Sequence, residues 1–324
     1  MRRQRTAAGI PLAVGALFAG GLLQAGTAGA APAGPAAAAH TAPAAAQHEA
    51  RAFWTAERMR SATPLDLLLT EQAAGHLKSP PHTGRPVSVA PTRPALASFP
   101  QAGGPWTGGG AVVRTSGRVF FTFQGRTASC TGDAVTSQNA STVLTAGHCV
   151  KYQGSWHTNW VFVPGYDNGN APYGQWTAAK TLTTPQWEAS EDINYDVGAA
   201  VVTPLNGRTL TSVVGAQGVQ FNGGYNKPMH SFGFPAASPY DGTKLIYCSG
   251  NSSKDFLFSQ DHGLGCNMTG GSSGGPWFTG FDEASGTGLQ ASVNSFGYTF
   301  LPNRMFGPYF GDVVKALYDQ ARTS

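Results

Sequence analysis

Charge is scarce in this 324-residue chain, where Asp, Glu, Lys and Arg make up 12% of residues and the net charge is +4. The basic excess sits in the first hundred residues, and beyond Gln101 acidic and basic residues nearly balance. No Lys/Arg cluster there could track a phosphate backbone, so nucleic-acid binding is not expected. A bilayer span needs about 20 uninterrupted apolar residues. The nearest run, residues 7–23, is broken by glycines and Pro11. Residues 31–324 contain no His-x-x-x-His and no paired acidic cluster of ligand spacing, so neither a metal nor another cofactor is expected. Cysteine is limited to Cys130, Cys149, Cys248 and Cys266, with no pair close enough to act as a zinc ligand pair.

What the N-terminus does have is Arg2, Arg3 and Arg5, the apolar stretch behind them, and Ala28-Gly29-Ala30. This is a secretory leader over residues 1–30, and it implies a secreted, extracellular protein with no membrane attachment once the leader is cut. An even cysteine count in an exported chain implies two disulfides. Sequential pairing would close two short loops worth about 3 kcal/mol each, although four cysteines allow three connectivities. Residues 31–47 are mostly Ala, Pro, Gly, Thr and His, too poor in large apolar groups to build a core, and disorder is expected. A helical pattern over residues 49–59, then Pro64 and Leu67-Leu68-Leu69, marks a small folded prosegment element. Residues 79–110 return to Pro, Gly and Ser breakers, as in a linker that carries the maturation cleavage. The expected division is leader 1–30, prosegment and linker 31–102, and main domain 103–324.

Within that domain, apolar and aromatic runs at 118–123, 141–144, 160–164 and 196–203 alternate with Gly, Asn, Pro and Ser clusters, the pattern of strands and turns. Helical periodicity returns only at 308–322, where Tyr309, Val313, Val314, Leu317 and Tyr318 share a face. An all-β body, a pair of barrels or a sandwich, with a C-terminal α-helix follows.

The segment Gly271-Ser272-Ser273-Gly274-Gly275-Pro276 places a serine in a bend where backbone N–H groups converge on one point. It also satisfies the G-x-S-x-G elbow of an α/β hydrolase, which requires a histidine after the serine. None follows Ser273. A triad with histidine first needs a histidine and then an acid upstream, and Thr145-Ala146-Gly147-His148-Cys149 and Asn194-Tyr195-Asp196-Val197-Gly198 supply them in order.

Together the three segments resemble the secreted bacterial trypsin-like serine peptidases of the chymotrypsin fold, near the glutamyl endopeptidase branch, over residues 110–322. The resemblance implies two packed six-stranded antiparallel β-barrels with His148, Asp196 and Ser273 at the cleft between them. It implies an endopeptidase acting through an acyl-enzyme, with the N–H groups of Gly271 and Ser273 as oxyanion hole. Cys130 matches the partner of Cys149 that pins the histidine loop, and Cys248 with Cys266 would brace the segment leading to the specificity pocket. Ser295-Phe296-Gly297 looks like the substrate-pairing strand, and Asn267 and Asn294 are the candidate selectors of the cleaved residue. Ser272 stands where digestive members carry the Asp that pairs with a new N-terminal ammonium, so that activation switch is missing. The expected partners are protein or peptide substrates and the chain's own prosegment, and a monomer is expected. The alternatives are a catalytically inactive binding module of the same fold and an esterase using the same triad.

Overall fold

Strands Ser116–Phe123 and Arg126–Val135 are joined by a tight turn at Gln124-Gly125, and Val119 and Phe121, two residues apart, share one face of the first. In the computed structural model, which describes residues 36–69, 83–89 and 99–324, they begin a closed ring. It continues antiparallel through Thr142–Thr145, Gly198–Val202, Trp176–Thr183 and Thr158–Pro164 and returns to Ser116–Phe123. Closure leaves an edge where Trp176–Thr183 runs on past its pairing with Thr158–Pro164 at residues 176 and 177. Val119, Phe121, Leu144, Phe162, Trp176 and Leu182 fill the interior.

The second half does not form one continuous ring. Its larger sheet pairs Ile246–Asn251, Pro228–Gly233, Pro276–Asp282 and Thr287–Val293 antiparallel, with Gly218–Phe221 added parallel. A smaller sheet joins His262–Gly265, Leu301–Gly307 and Phe296–Tyr298. The C-terminal helix, Asp312–Ala321, packs Val314, Leu317 and Tyr318 into the core of the first barrel. Three short helices, Val112–Thr115, Pro185–Ser190 and Leu210–Val214, escape the sequence pattern because none lasts two turns. Among the described residues no helix is long and apolar enough to cross a membrane.

The leader expected at residues 1–30 lies outside the described residues. The disorder expected for 31–47 is overturned from Ala38 onward: Ala38–Thr41 adds to the barrel strand Trp176–Thr183, and a helix starts at Ala44. The order comes from the ladder partner, which composition does not reveal. The helix expected over 49–59 is two helices, Ala44–Phe53 and Ala56–Ser61, broken at Trp54, which leaves helical geometry to bury its ring. Thr55 then caps the second helix by accepting from the Arg58 N–H. Ala50, Trp54, Met59 and Ala62 share a core with Phe120, Val161, Val163, Tyr166 and Phe234. The linker segments Val87–Val89 and Gln101–Pro105 lie along the two edges of the larger sheet.

Candidate active site

Strand Thr142–Thr145 runs into a 3-10 turn, Gly147–Cys149, and its ladder neighbour Gly198–Val202 begins two residues after Asp196. With Thr145 opposite Gly198, one antiparallel pair brings the histidine turn to the acid. The His148 backbone N–H donates to Asp196 Oδ1 and the ring Nδ1–H to Oδ2, both at 2.7 Å. Both side chains are fully buried. The Ser295 hydroxyl supplies a third donor to Oδ2 at 2.6 Å. This geometry fixes the imidazole tautomer, with Nδ1 protonated and Nε2 left as the base. Nε2 has no hydrogen-bond partner among the described residues.

The turn is held from outside by aromatic side chains that the sequence did not single out. His157 Nε2–H donates to the His148 carbonyl at 2.8 Å while its ring stacks on Phe121 at 4.2 Å. Trp160 Nε1–H bonds the Cys149 carbonyl at 2.9 Å and Trp187 Nε1–H the Lys151 carbonyl at 2.8 Å. These are aromatic residues like many others in the chain, and only their three-dimensional partners distinguish them.

Ser273 lies in a bend closed by the Ser272 N–H on the Thr269 carbonyl and the Gly275 N–H on the Ser272 carbonyl. Gly274 has φ of +81°, and a Cβ there would fall 2.1 Å from Thr145 Oγ1. Gly271 has φ of +94°, and its Cβ would fall 2.9 Å from the Phe234 carbonyl. Both positions therefore require glycine. Thr131, next to Cys130, ties the bend to the first barrel. Its N–H donates to the Ser273 carbonyl at 2.7 Å, and its hydroxyl donates to the Gly271 carbonyl and accepts from the Phe234 N–H, both at 2.9 Å. The Ser273 carbonyl oxygen lies 3.7 Å from Cys149 Sγ, so serine and histidine turns meet at the disulfide Cys130–Cys149. The second disulfide joins Cys248 to Cys266.

The same arrangement of halves recurs in solved structures. Protease Anisep from Arthrobacter nicotinovorans is 42% identical, with 74% of this chain covering 100% of that one at a TM-score of 0.62. The thermostable serine protease AL20 from an extremophilic microorganism is 40% identical, covering 66% of this chain and 99% of its own, again at 0.62. This chain belongs to the trypsin-like serine proteases of the chymotrypsin fold. As such it is a peptide hydrolase. A Glu endopeptidase shares the fold at 16% identity, a TM-score of 0.54 and coverage of 70% of this chain and 99% of its own. No family model matches the chain. An extracellular metalloprotease of Bacillus subtilis is 36% identical over 85 residues, so the match spans 26% of this chain and 26% of that protein. The donors here do not suit the metal which that name implies. Among the described residues the one group of metal-binding type is Cys130, His148 and Cys149, and both sulfurs are spent in the disulfide.

In this trypsin-like protease Ser272 is buried, with its hydroxyl on the Thr269 carbonyl at 2.8 Å, so it offers no charge to a new N-terminus. Asn267 is partly exposed and accepts from the Tyr240 hydroxyl at 2.6 Å through Oδ1. Its amide nitrogen therefore remains a donor. Beside it opens a cavity of about 640 Å³ lined by Gln101, Ser249, Asn251, Gly265 and Asn303. The reading of Asn294 as a selector gives way to a structural role. Its oxygen accepts from Ser231 and Trp277, and its nitrogen donates to the Phe232 and Ser272 carbonyls, which leaves no atom of this fully buried side chain for a substrate. Ser295 reaches Asp196, and along Gly297 lies a segment of the chain itself, residues 63–69. Thr63–Pro64 pairs parallel with Ala128–Ser129, and the Leu65 N–H bonds the Ser129 carbonyl at 3.0 Å. The Leu65 carbonyl accepts from the Gly271 N–H at 3.3 Å, and the Leu67 carbonyl from the Gly297 N–H at 3.0 Å. Asp66 sits between them, its carboxyl pushed up by burial against the opposing pull of His148.

Proposed function

We propose that the chain is a secreted serine endopeptidase in which Ser273 attacks the scissile carbonyl, His148 takes its proton and later passes it to the leaving amine, and Asp196 steadies the imidazolium. The tetrahedral oxyanion is received by the N–H groups of Gly271 and Ser273, where one lost donor costs about 3 kcal/mol in the transition state. The observation that carries this reading is the doubly bonded His148–Asp196 pair, completed by Ser295, in a turn whose Cys149 sulfur meets the carbonyl of Ser273 in the glycine-bounded bend. Extended peptides add as a strand along residues 295–297. Asn267, with its oxygen held by Tyr240, presents an amide N–H donor, which favours a polar acceptor side chain at the cleaved position. The leader exports the chain to a compartment where both disulfides persist. Residues 31–102 comprise the prosegment and its linker, and maturation cuts within the linker ahead of Phe99, which leaves the Ala102 carbonyl on the Asn267 N–H. The test is a serine-directed phosphonate reacted with the mature protein, followed by peptide mapping. The adduct is expected on Ser273 alone and absent from Ser273→Ala, and an adduct on any other residue overturns the assignment.

A further inference from the structure

Resting on that catalytic reading, we infer that residues 36–69 form a back-to-front inhibitor strand that stays bound, uncut and inhibitory after the linker is cleaved, so that severing the chain does not by itself switch the enzyme on. The polarity follows from which half of a substrate must pass the proton donor. His148 protonates the leaving amine, and the next residue, Cys149, is bonded to Cys130 on the strand that carries Ala128 and Ser129. A leaving half therefore exits along Ala128–Ser129, and the acyl half rests on residues 295–297. In the bound segment the two halves are exchanged. Thr63–Pro64, ahead of the Leu65 carbonyl, lies along Ala128–Ser129, while Leu68–Leu69, behind it, pairs parallel with Gly297–Tyr298. The nitrogen that would leave is on the side away from the donor. The Leu65 carbonyl accepts from the Gly271 N–H at 3.3 Å, so the proposed oxyanion donor is already occupied.

The hold does not depend on an intact linker. Ala38–Thr41 adds a strand to the barrel. Trp54 is buried, with its Nε1–H on the Asn159 carbonyl at 2.6 Å and its ring 5.2 Å from that of Phe120. Met59 is buried beside it, and Leu67 packs among Trp187, Ile193 and Phe296. These anchors lie on both sides of the cleft, so the segment spans it as a strap fixed at both ends.

The test uses the full chain carrying a foreign protease's recognition sequence at residues 92–97. After cutting, the N-terminal piece is expected to co-elute with the body in gel filtration, with less than a tenth of the phosphonate labelling and peptide turnover reached once the piece is removed. Adding the piece back should restore inhibition, with mass spectrometry recovering it uncut between residues 65 and 66. In Trp54→Ala its retention should fall at least tenfold. Full labelling of the cut chain with the piece still bound, immediate release of the piece, or cleavage at 65–66 would each overturn the inference. The Ser273→Ala body, titrated with the piece by calorimetry, keeps the two ideas separable. Tight binding there supports the strap even if the freed wild type ignores the phosphonate, an outcome that counts against the catalytic reading alone, and absence of binding sinks the strap whatever the phosphonate does.

Discussion

Thr131 is the residue through which the serine bend is aimed. Its hydroxyl fixes the Gly271 carbonyl and the Phe234 N–H, and its backbone fixes the Ser273 carbonyl. Replacing it by valine keeps the shape and strands two buried polar groups, at about 1–3 kcal/mol each. Part of that cost should appear as a misaligned oxyanion donor. Thr131→Val is thus expected to lower kcat by about tenfold to a hundredfold with little change in KM, while Thr131→Ser retains most of the rate. Steady-state kinetics on a peptide ester would decide it, and equal kcat values for the valine variant and wild type would refute the role. Nothing in the sequence marks Thr131 beyond its place after Cys130. The proposed triad, by contrast, rests on three short motifs that occur in one order, and order survives without coordinates. Asn294 shows the opposite case: it lies just ahead of the substrate strand in the chain, yet its side chain is absorbed by four internal hydrogen bonds whose partners come from 17 to 63 residues away.

Among the elements, apolar runs between turn residues located four of the six barrel strands closely, while Arg126–Val135 and Trp176–Thr183 were not marked because small and polar residues interrupt their apolar positions. The 36–69 segment was misjudged where its structure is borrowed. Ala38–Thr41 has no apolar face of its own and becomes a strand only because Trp176–Thr183 offers a free edge. The two disulfides brace different elements and separate stability from activity. Their loops span 19 and 18 residues, so chain entropy assigns each about 3 kcal/mol. Only Cys130–Cys149 joins a barrel strand to the histidine turn. The Cys130→Ser/Cys149→Ser pair should therefore lose far more activity than Cys248→Ser/Cys266→Ser at a similar fall in urea midpoint. Parallel losses of activity in the two double variants would show that the first disulfide has no positioning role.

For the molecule as a whole, buried ionisable groups set how stability depends on pH. Burial pushes Asp133 up to about 8, against hydrogen bonds from the Ser116 and Thr115 hydroxyls. Burial, reinforced by Asp255, Asp192 and Asp196, pushes Asp261 well above the carboxylate range, and burial also raises Asp66. Burial pulls His157 and His262 down to about 4 and lowers His230 as well. In the unfolded chain the acids release protons near pH 4 and the histidines near 6.5. Between those values the folded state holds extra protons on the acids and lacks them on the histidines, so the two slopes oppose and stability stays nearly level. As pH rises past 6.5 the histidines become neutral in the unfolded state too, and the acids come to dominate. A raised acid contributes stability that is complete below its unfolded value and is lost as pH rises toward its folded one, at up to about 1.4 kcal/mol per pH unit for each retained proton. Stability should therefore decline from pH 6.5 to 8, by on the order of 2 kcal/mol through Asp133, with Asp261 acting in the same direction. Urea titration of the full chain carrying Ser273→Ala, which suppresses self-digestion, measures this directly, and Asp133→Asn should make the decline shallower. A midpoint that rises between pH 6.5 and 8 would mean that these two carboxyls do not keep their protons in the folded state.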